Sequence, residues 1–283
     1  MILSFHPIFE GDKNIICAGR DPDDNDLAAV RTADAVILPQ GCRQSLYEMA
    51  RNNCAHVFPN YDAKFKYPGK VGQIHLFQET NVPHPKTRTC PQTSDIRHQT
   101  SSLSFPFVFK FDWGGEGDNV FLIKSIGEFQ DILEKADAFE KTGQTGSLIQ
   151  EYIPFQNKTL RVVVIGETIL SYWRIQENTE KFCVSLAEGA IIDADADPES
   201  QAEAAASVRD FCKKTGINLA GFDFLFSSSS PPQAGKQEDE SGDEMRTPLF
   251  LEINYFFGRR GLGGSERFYE LLEREIRKWI DTL

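Results

Sequence analysis

Two short strand-like segments near the C-terminus constrain this chain more than any other feature. One is LAGFDFLF over residues 219–226, and the other is PLFLEIN over residues 248–254. Side chains alternate faces along a strand. Glu252 and Asn254 are therefore expected to point one way and Leu249, Leu251 and Ile253 the other. Asp223 is expected to oppose Phe222 and Phe224. If the two segments pair as neighbours, Asp223, Glu252 and Asn254 converge on one spot. Hard oxygen donors suit Mg²⁺, which is commonly held by one or two carboxylates together with substrate phosphates. The same alternation also describes a sheet with an ordinary solvent face.

At 283 residues the chain is long enough to bury a substantial core. Its net charge of −12 argues against a nucleic-acid surface, which needs basic stripes to neutralise phosphates. No apolar run is long enough to span a bilayer, and the first residues, lacking a basic region and broken at Pro7, make a poor secretory signal. The six cysteines are scattered without a C-x-x-C pair, which reads as thiols in a reducing, cytoplasmic compartment. The five histidines show no metal-ligand spacing.

Along the chain, residues 14–18 and 35–39 are short apolar runs expected as buried strands, with helices over 26–33 and 44–52 and a strand at 56–58. Val71, Ile74 and Phe77 predict a helix over 69–80, ended by the prolines at 83 and 85, where a first domain boundary is expected. Residues 105–111 and 119–123 read as strands around a glycine-rich turn, Val108 and Lys110 facing away from Phe107 and Phe109. Ser125 and Glu128 form a capping-box pattern before a helix whose buried face is Phe129, Ile132, Leu133 and Ala136. A strand over 147–153 and a hairpin over 160–175 follow, then a helix starting at Asp197-Pro198 and ending at Gly216. Residues 227–247 are polar and acidic and are expected as a mobile loop. A terminal helix from Ser265 carries Phe268, Leu271, Leu272, Ile276, Trp279, Ile280 and Leu283 on one stripe.

The order of these pieces resembles the ATP-grasp superfamily, in the branch of the ribosomal-protein S6 glutamate ligase (RimK-like) and bacterial glutathione synthetase. The likeness covers residues 69–264. It is carried by Gly69-Lys70 before a helix ending at Pro85-Lys86-Thr87, and by the strand of Lys110 with Gly114-Gly115-Glu116-Gly117. Gln150-Glu151-Tyr152-Ile153, the strands of Arg161 and Arg174, and the trio Asp223, Glu252 and Asn254 complete it. No one landmark is specific; their shared order is.

The resemblance implies an α/β, ATP-grasp fold. A small N-terminal α/β unit (1–85) precedes a subdomain with the phosphate loop (86–154) and a C-terminal subdomain with the metal site (155–283). ATP and Mg²⁺ or Mn²⁺ are the implied cofactors. Lys70, Lys110, Gly114, Gly115 and Gly117 would hold the phosphates, and the main chain of Glu151, Tyr152 and Ile153 the adenine. Arg161 and Arg174 would stabilise the transferring phosphoryl group. The implied activity is ligation of a small-molecule or peptide carboxylate to an amine through an acyl phosphate, in a protein that is often oligomeric. On the residues alone, Lys70 also reads as a surface lysine, the glycines as a hairpin turn, and the arginines as a structural salt bridge. A nucleotide-binding protein without turnover and a small-molecule kinase remain open alternatives. The chain departs from the family at residues 182–186, where an Arg-x-Asn is missing and Ser185 takes the place of the asparagine. Arg259 and Arg260, adjacent after the metal trio, are expected to compensate by clamping an acidic substrate.

Overall fold

The computed structural model describes residues 1–98, 104–115, 117–179, 181–227 and 246–283. In chain order the elements are β1 (Ile2–Ser4), β2 (Lys13–Asn14), α1 (Asp24–Arg31), β3 (Ala35–Ile37), α2 (Gln44–Asn53), β4 (His56–Phe58), α3 (Asp62–Lys66) and α4 (Gly69–Thr80). Then come β5 (Thr87–Cys90), α5 (Thr93–His98), β6 (Phe107–Phe111), β7 (Val120–Ile123), α6 (Ile126–Glu140) and β8 (Ser147–Glu151). The last are β9 (Lys158–Ile165), β10 (Thr168–Ile175), β11 (Ile191–Asp193), α7 (Pro198–Thr215), β12 (Leu219–Ser227), β13 (Thr247–Asn254) and α8 (Ser265–Ile280). Of the acidic segment expected over 227–247, residues 228–245 lie outside the described residues, as does Glu116. Ser227 and Thr247 themselves are paired strand residues.

The first sheet is parallel, in the order β2-β1-β3-β4. Its strands bury Leu3, Val36 and Val57 against α1 and α2. The strand expected at 14–18 is only an edge ladder at Lys13–Asn14; the inner strand is Ile2–Ser4. Burial decides between them. Leu3 is fully enclosed, whereas Ile16 is 71% exposed. Ala18 adopts φ 47°, which ends extended backbone there.

The second sheet is antiparallel, β5-β8-β6-β7. Phe107, Phe109 and Phe111 turn into a core with Phe129, Ile132, Leu133 and Ala136 of α6. That leaves Val108 and Lys110 on the other face, as the alternation requires. At the start of α6, Ser125 Oγ accepts the Glu128 amide at 3.3 Å, while the Glu128 carboxylate accepts the Lys124 amide at 2.6 Å. The expected capping box is thus shifted by one residue on its return bond.

The third sheet runs β11-β10-β9-β12-β13, all antiparallel. One face packs Val162, Trp173, Phe222 and Phe250 on Phe211 of α7 and Phe77 of α4. Asp197 caps α7 by accepting the Ser200 amide at 3.2 Å, and Gly216 ends it at φ 73°. The opposite face divides along the strands. At one end Val163, Ile165, Tyr172 and Leu219 meet Phe268, Leu271, Leu272 and Ile276 of α8. At the other end the same face carries Arg161, Arg174 and Asp223. Leu283, expected on the α8 stripe, lies beyond the helix end and is 51% exposed.

The packing does not break at the boundary expected near residues 82–85. Ile74, Leu76 and Phe77 of α4 belong to the core of the third sheet. Gln73 Oε1 accepts the Ile253 amide at 2.8 Å, and its Nε2 donates to the Ile253 carbonyl at 2.9 Å. Phe250 N donates to the Pro83 carbonyl at 2.8 Å. The outer edge of β13 is therefore closed by residues 73–83, which satisfies main-chain groups that an open edge would leave unpaired.

Candidate active site

Asp223 and Glu252 sit directly opposite each other on β12 and β13, but the register then shifts, so that Phe224 faces Phe250 and Leu251 is the extra residue of a bulge. The bulge overturns one expectation from the alternation. Phe250 and Ile253 point into the core, while Leu251 joins Glu252 and Asn254 on the site face. A cleft of about 280 Å³ lies here, between β6 and β8 on one side and β9, β10, β12 and β13 on the other.

Lys110 stands in the cleft wall, 7% exposed, with no hydrogen bond or ion pair to its ammonium among the described residues. Burial pushes its ammonium down to about 8, opposed by the negative charge of Glu252. A buried cation without a bonded counter-ion is unstable unless an anion arrives. Lys70, by contrast, is turned onto the glycine-rich turn. Its Nζ donates to the Gly114 carbonyl at 2.8 Å, and it is not part of the cleft lining. The turn joins the N-terminus of α4 through Asp112, whose carboxylate accepts the Val71 amide at 2.7 Å. Gly117 lines the cleft at φ 93°, and a Cβ there would come within 3.0 Å of Cys183. Gly114 has φ 85°, and Gly115 has open space where a side chain would go.

Arg161 grips Asp223 with two bonds, through Nε to Oδ1 and through Nη2 to Oδ2 at 2.9 Å. Arg174 Nη2 lies 2.8 Å from Asp223 Oδ1 and donates to Thr159 Oγ1 at 3.0 Å, while its Nε is buried without a partner among the described residues. Asn254 Nδ2 donates to Asp223 Oδ2 at 3.2 Å. Burial raises the Asp223 carboxyl, but the two arginines outweigh it and hold the group below its usual range. Gly221 makes room for this arrangement, because a Cβ there would press on Arg161 Nη1 at 3.1 Å.

Among the described residues no group of three or more His, Cys, Asp and Glu side chains forms a cation cage. A Mg²⁺ that keeps its waters and binds phosphates does not need one. Of Asp223, Glu252 and Asn254, the oxygens without a partner among the described residues are the Glu252 carboxylate and Asn254 Oδ1. This donor set fits a hard cation, with Asp223 committed to the arginines beside it.

At the other end of the cleft, the Glu151 amide donates to the Lys86 carbonyl at 2.8 Å, whereas the amides of Tyr152 and Ile153 have no partner among the described residues. Tyr152 and Phe155 both pack on Phe182, with ring centroids 6.2 and 5.8 Å apart. Val108, Leu225 and Leu251 give this region apolar walls.

A model of the RimK-like ATP-grasp domain matches residues 69–232, more than half of the chain. The chain belongs to the RimK-like ATP-grasp family. The match takes in Lys110, the glycine turn, both arginines and Asp223, and stops before Glu252 and Asn254. A glutamate–LysW ligase, ArgX, from Sulfurisphaera tokodaii is 23% identical over 159 residues, 56% of this chain and 56% of that protein. The same-named ligase from Sulfolobus acidocaldarius is 22% identical over 64% of this chain and 65% of its own length. The chain thus spans less than two thirds of either relative. In fold, it matches an ATP-grasp RimK domain protein from Sphaerobacter thermophilus with a TM-score of 0.60 at 14% identity, covering 97% of this chain and 98% of that one. No helix among the described residues is long and apolar enough to cross a membrane.

Arg259 and Arg260 do not reach the cleft of this ATP-grasp chain. Arg259 lies over the rings of Phe268 and Tyr269, 4.5 Å from each centroid, and donates to the Tyr269 hydroxyl at 2.8 Å. Arg260 is exposed on the following turn. Aromatic neighbours nine and ten residues further on, in α8, captured the charge that was expected to meet a substrate. Ser185 is buried in the cleft wall with its Oγ accepting the Ala187 amide at 3.2 Å. Thr159, Tyr172, Cys183 and Leu225 also line the site and were not expected there from sequence, nor was Leu251, which was expected on the core face. Only strand alternation beside Arg161, Arg174 and Asp223 signals the first, second and fourth of these.

Proposed function

We propose that this chain is an ATP-dependent carboxylate–amine ligase. The observation that carries the proposal is the charge pattern of one cleft: a buried Lys110 without a bonded anion among the described residues on one wall, and on the facing wall a two-arginine group with the unpaired oxygens of Glu252 and Asn254 beside it. Nucleotide phosphates and a divalent cation answer all three at once. The nucleobase lies between Val108, Leu225 and Leu251, with its edge toward the free amides of Tyr152 and Ile153. Lys110 and the amides of the glycine turn hold phosphate oxygens. Residues 86–154 thus supply the phosphate loop and residues 155–283 the metal donors. Glu252 and Asn254 would hold Mg²⁺ or Mn²⁺, and the cation would supply charge neutralisation on the phosphates.

In the reaction, a substrate carboxylate oxygen attacks the γ-phosphorus and ADP leaves, giving an acyl phosphate. An amine then attacks the acyl carbon, and inorganic phosphate leaves as the amide forms. Arg161 and Arg174 present fixed positive charge where phosphoryl and acyl oxygens gain negative charge, which is worth most in a water-poor cleft. Substrates are a small-molecule or peptide acid and an amine.

The test is Mg²⁺-dependent release of ADP and phosphate from pooled carboxylic acids and pooled amines, with Glu252→Ala as control. Release that needs both pools and disappears in the variant supports a ligase. Release with alcohols in place of acids would replace it with a kinase, and ATP binding without release from any pool would leave a nucleotide-binding protein.

A further inference from the structure

Phe256 is 70% exposed, yet it lines the cleft two residues beyond Asn254. Two residues of chain span at most about 7 Å, so the ring stands close to the cation donors and to any carboxylate that meets the phosphates. Its neighbour holds it there. Phe257 is 4% exposed and meets Phe268 of α8 edge to face, with ring centroids 5.8 Å apart. Across from Phe256 is Gly41, just past β3, at φ 81°, where a Cβ would lie 3.7 Å from Phe256 Cδ2. The N-terminal unit thus meets the ring with main chain only. An aromatic ring left in water beside a reaction site is surface that an apolar group on the substrate would cover.

The charges of the cleft say what that group is not. Among the described residues, the cations lining it are Lys110, Arg161 and Arg174. The two arginines share Asp223, and Lys110 faces the phosphates in the reading above. Residues 182–187 contribute only uncharged side chains to the lining. Lys181, just before them, is paired with Glu188 at 3.2 Å, and Arg259 is stacked on α8. One substrate carboxylate can meet the cation and the arginine pair. A second on the same molecule meets no free positive side chain and lies beside the carboxylates of Asp223 and Glu252, which is costly in a water-poor site.

Resting on the ligase reading above, we propose that the acid this chain activates is a monocarboxylate whose uncharged, flat apolar body lies on Phe256. Phe256 sets specificity by covering that body and does not touch the reacting carboxylate.

The experiment measures hydroxamate formation with Mg-ATP and hydroxylamine as the amine. The acids are 3-phenylpropionate and succinate, which differ by a ring against a second carboxylate, together with the pooled acids used above. Wild type, Phe256→Ala, Phe256→Trp and Phe256→Arg are compared. Because Phe256 is exposed, these changes leave the core intact. Wild-type kcat/KM is expected to be about tenfold or more higher for 3-phenylpropionate than for succinate. Phe256→Ala is expected to remove about tenfold of that preference through KM, since the ring acts on binding and not on the reacting atoms. Phe256→Trp keeps a flat apolar face and is expected to keep the preference. Phe256→Arg supplies the missing cation and is expected to raise succinate above its wild-type rate, a change that loss of packing alone does not produce. Succinate used as well as 3-phenylpropionate by wild type, or the same ratio of the two in wild type and Phe256→Ala, overturns the assignment and leaves the ligase reading standing. Hydroxamate from the pooled acids but none from 3-phenylpropionate does the same. Hydroxamate from no acid at all overturns both.

Discussion

Replacing Asp223 with alanine separates two roles for its carboxylate. The side chains of Asp223, Arg161 and Arg174 are 7%, 8% and 13% exposed, so their charges interact with little screening by water. Asp223→Ala leaves two buried guanidinium groups facing each other without their shared anion. Removing one partner of a buried pair costs about 3–5 kcal/mol. A melting temperature lower by about 10 °C follows, at roughly 2–4 °C per kcal/mol for a chain of this size class. The assay is urea denaturation in metal-free buffer, followed by circular dichroism. A carboxylate kept only as a cation ligand would behave in the opposite sense, because its removal relieves repulsion from Glu252 when no cation is present. A loss below about 1 kcal/mol, the range of exposed pairs, refutes the clamp. Replacing the network by apolar groups, Asp223→Leu with Arg161→Met and Arg174→Met, is expected to recover much of the loss.

Two further predictions concern titration. Lys110 has its folded value lowered by burial to about 8 from 10.5, so between those pH values the unfolded chain binds the extra proton and stability rises with pH. Lys110→Met is therefore expected to gain about 3 kcal/mol at pH 7, a gain that fades from pH 8 to 10.5, while ATP binding is lost; a pH-independent difference in denaturation midpoint would contradict this. Glu275 is buried under the β9–β10 turn, where burial raises its carboxyl but Lys278, Thr168, Arg274 and the Glu167 amide together lower it. Its contribution is present above the ordinary glutamate value and lost as pH falls through the lowered folded value. Glu275→Gln should thus flatten the acid limb of the stability profile, and an unchanged limb would show that other carboxylates set it.

Local patterns that repeat were legible from the sequence. The alternation of Phe107, Phe109 and Phe111 against Val108 and Lys110, the hairpin around Gly166, and the caps at Asp197 and Gly216 each rest on neighbours in the chain, and each formed as read. Ile2–Ser4 was missed because three residues carry no period, and its burial comes from α1 and α2 rather than from itself. Leu251 was assigned to the wrong face because a bulge inserts one residue without a glycine or proline to mark it. The site was legible as a set of residue types, and less so as a set of partners. Asp223 was read beside Glu252 and Asn254, but which charge it meets depends on β9 and β10, about sixty and fifty residues earlier, in a register no short window contains. Arg259 is held by rings at the start of α8, nine and ten residues on, whose approach depends on how the turn over 260–264 folds back.

Trapping with hydroxylamine tests the central claim most directly. Hydroxylamine replaces the amine and attacks an acyl phosphate to give a hydroxamate, which no other product of phosphoryl transfer yields. With Mg-ATP and an acid that supports turnover, wild type is predicted to form hydroxamate and ADP in equal amounts, and Glu252→Ala to form neither. ADP release without hydroxamate at saturating hydroxylamine would contradict an acyl phosphate, and with it the assignment of this cleft to carboxylate–amine ligation.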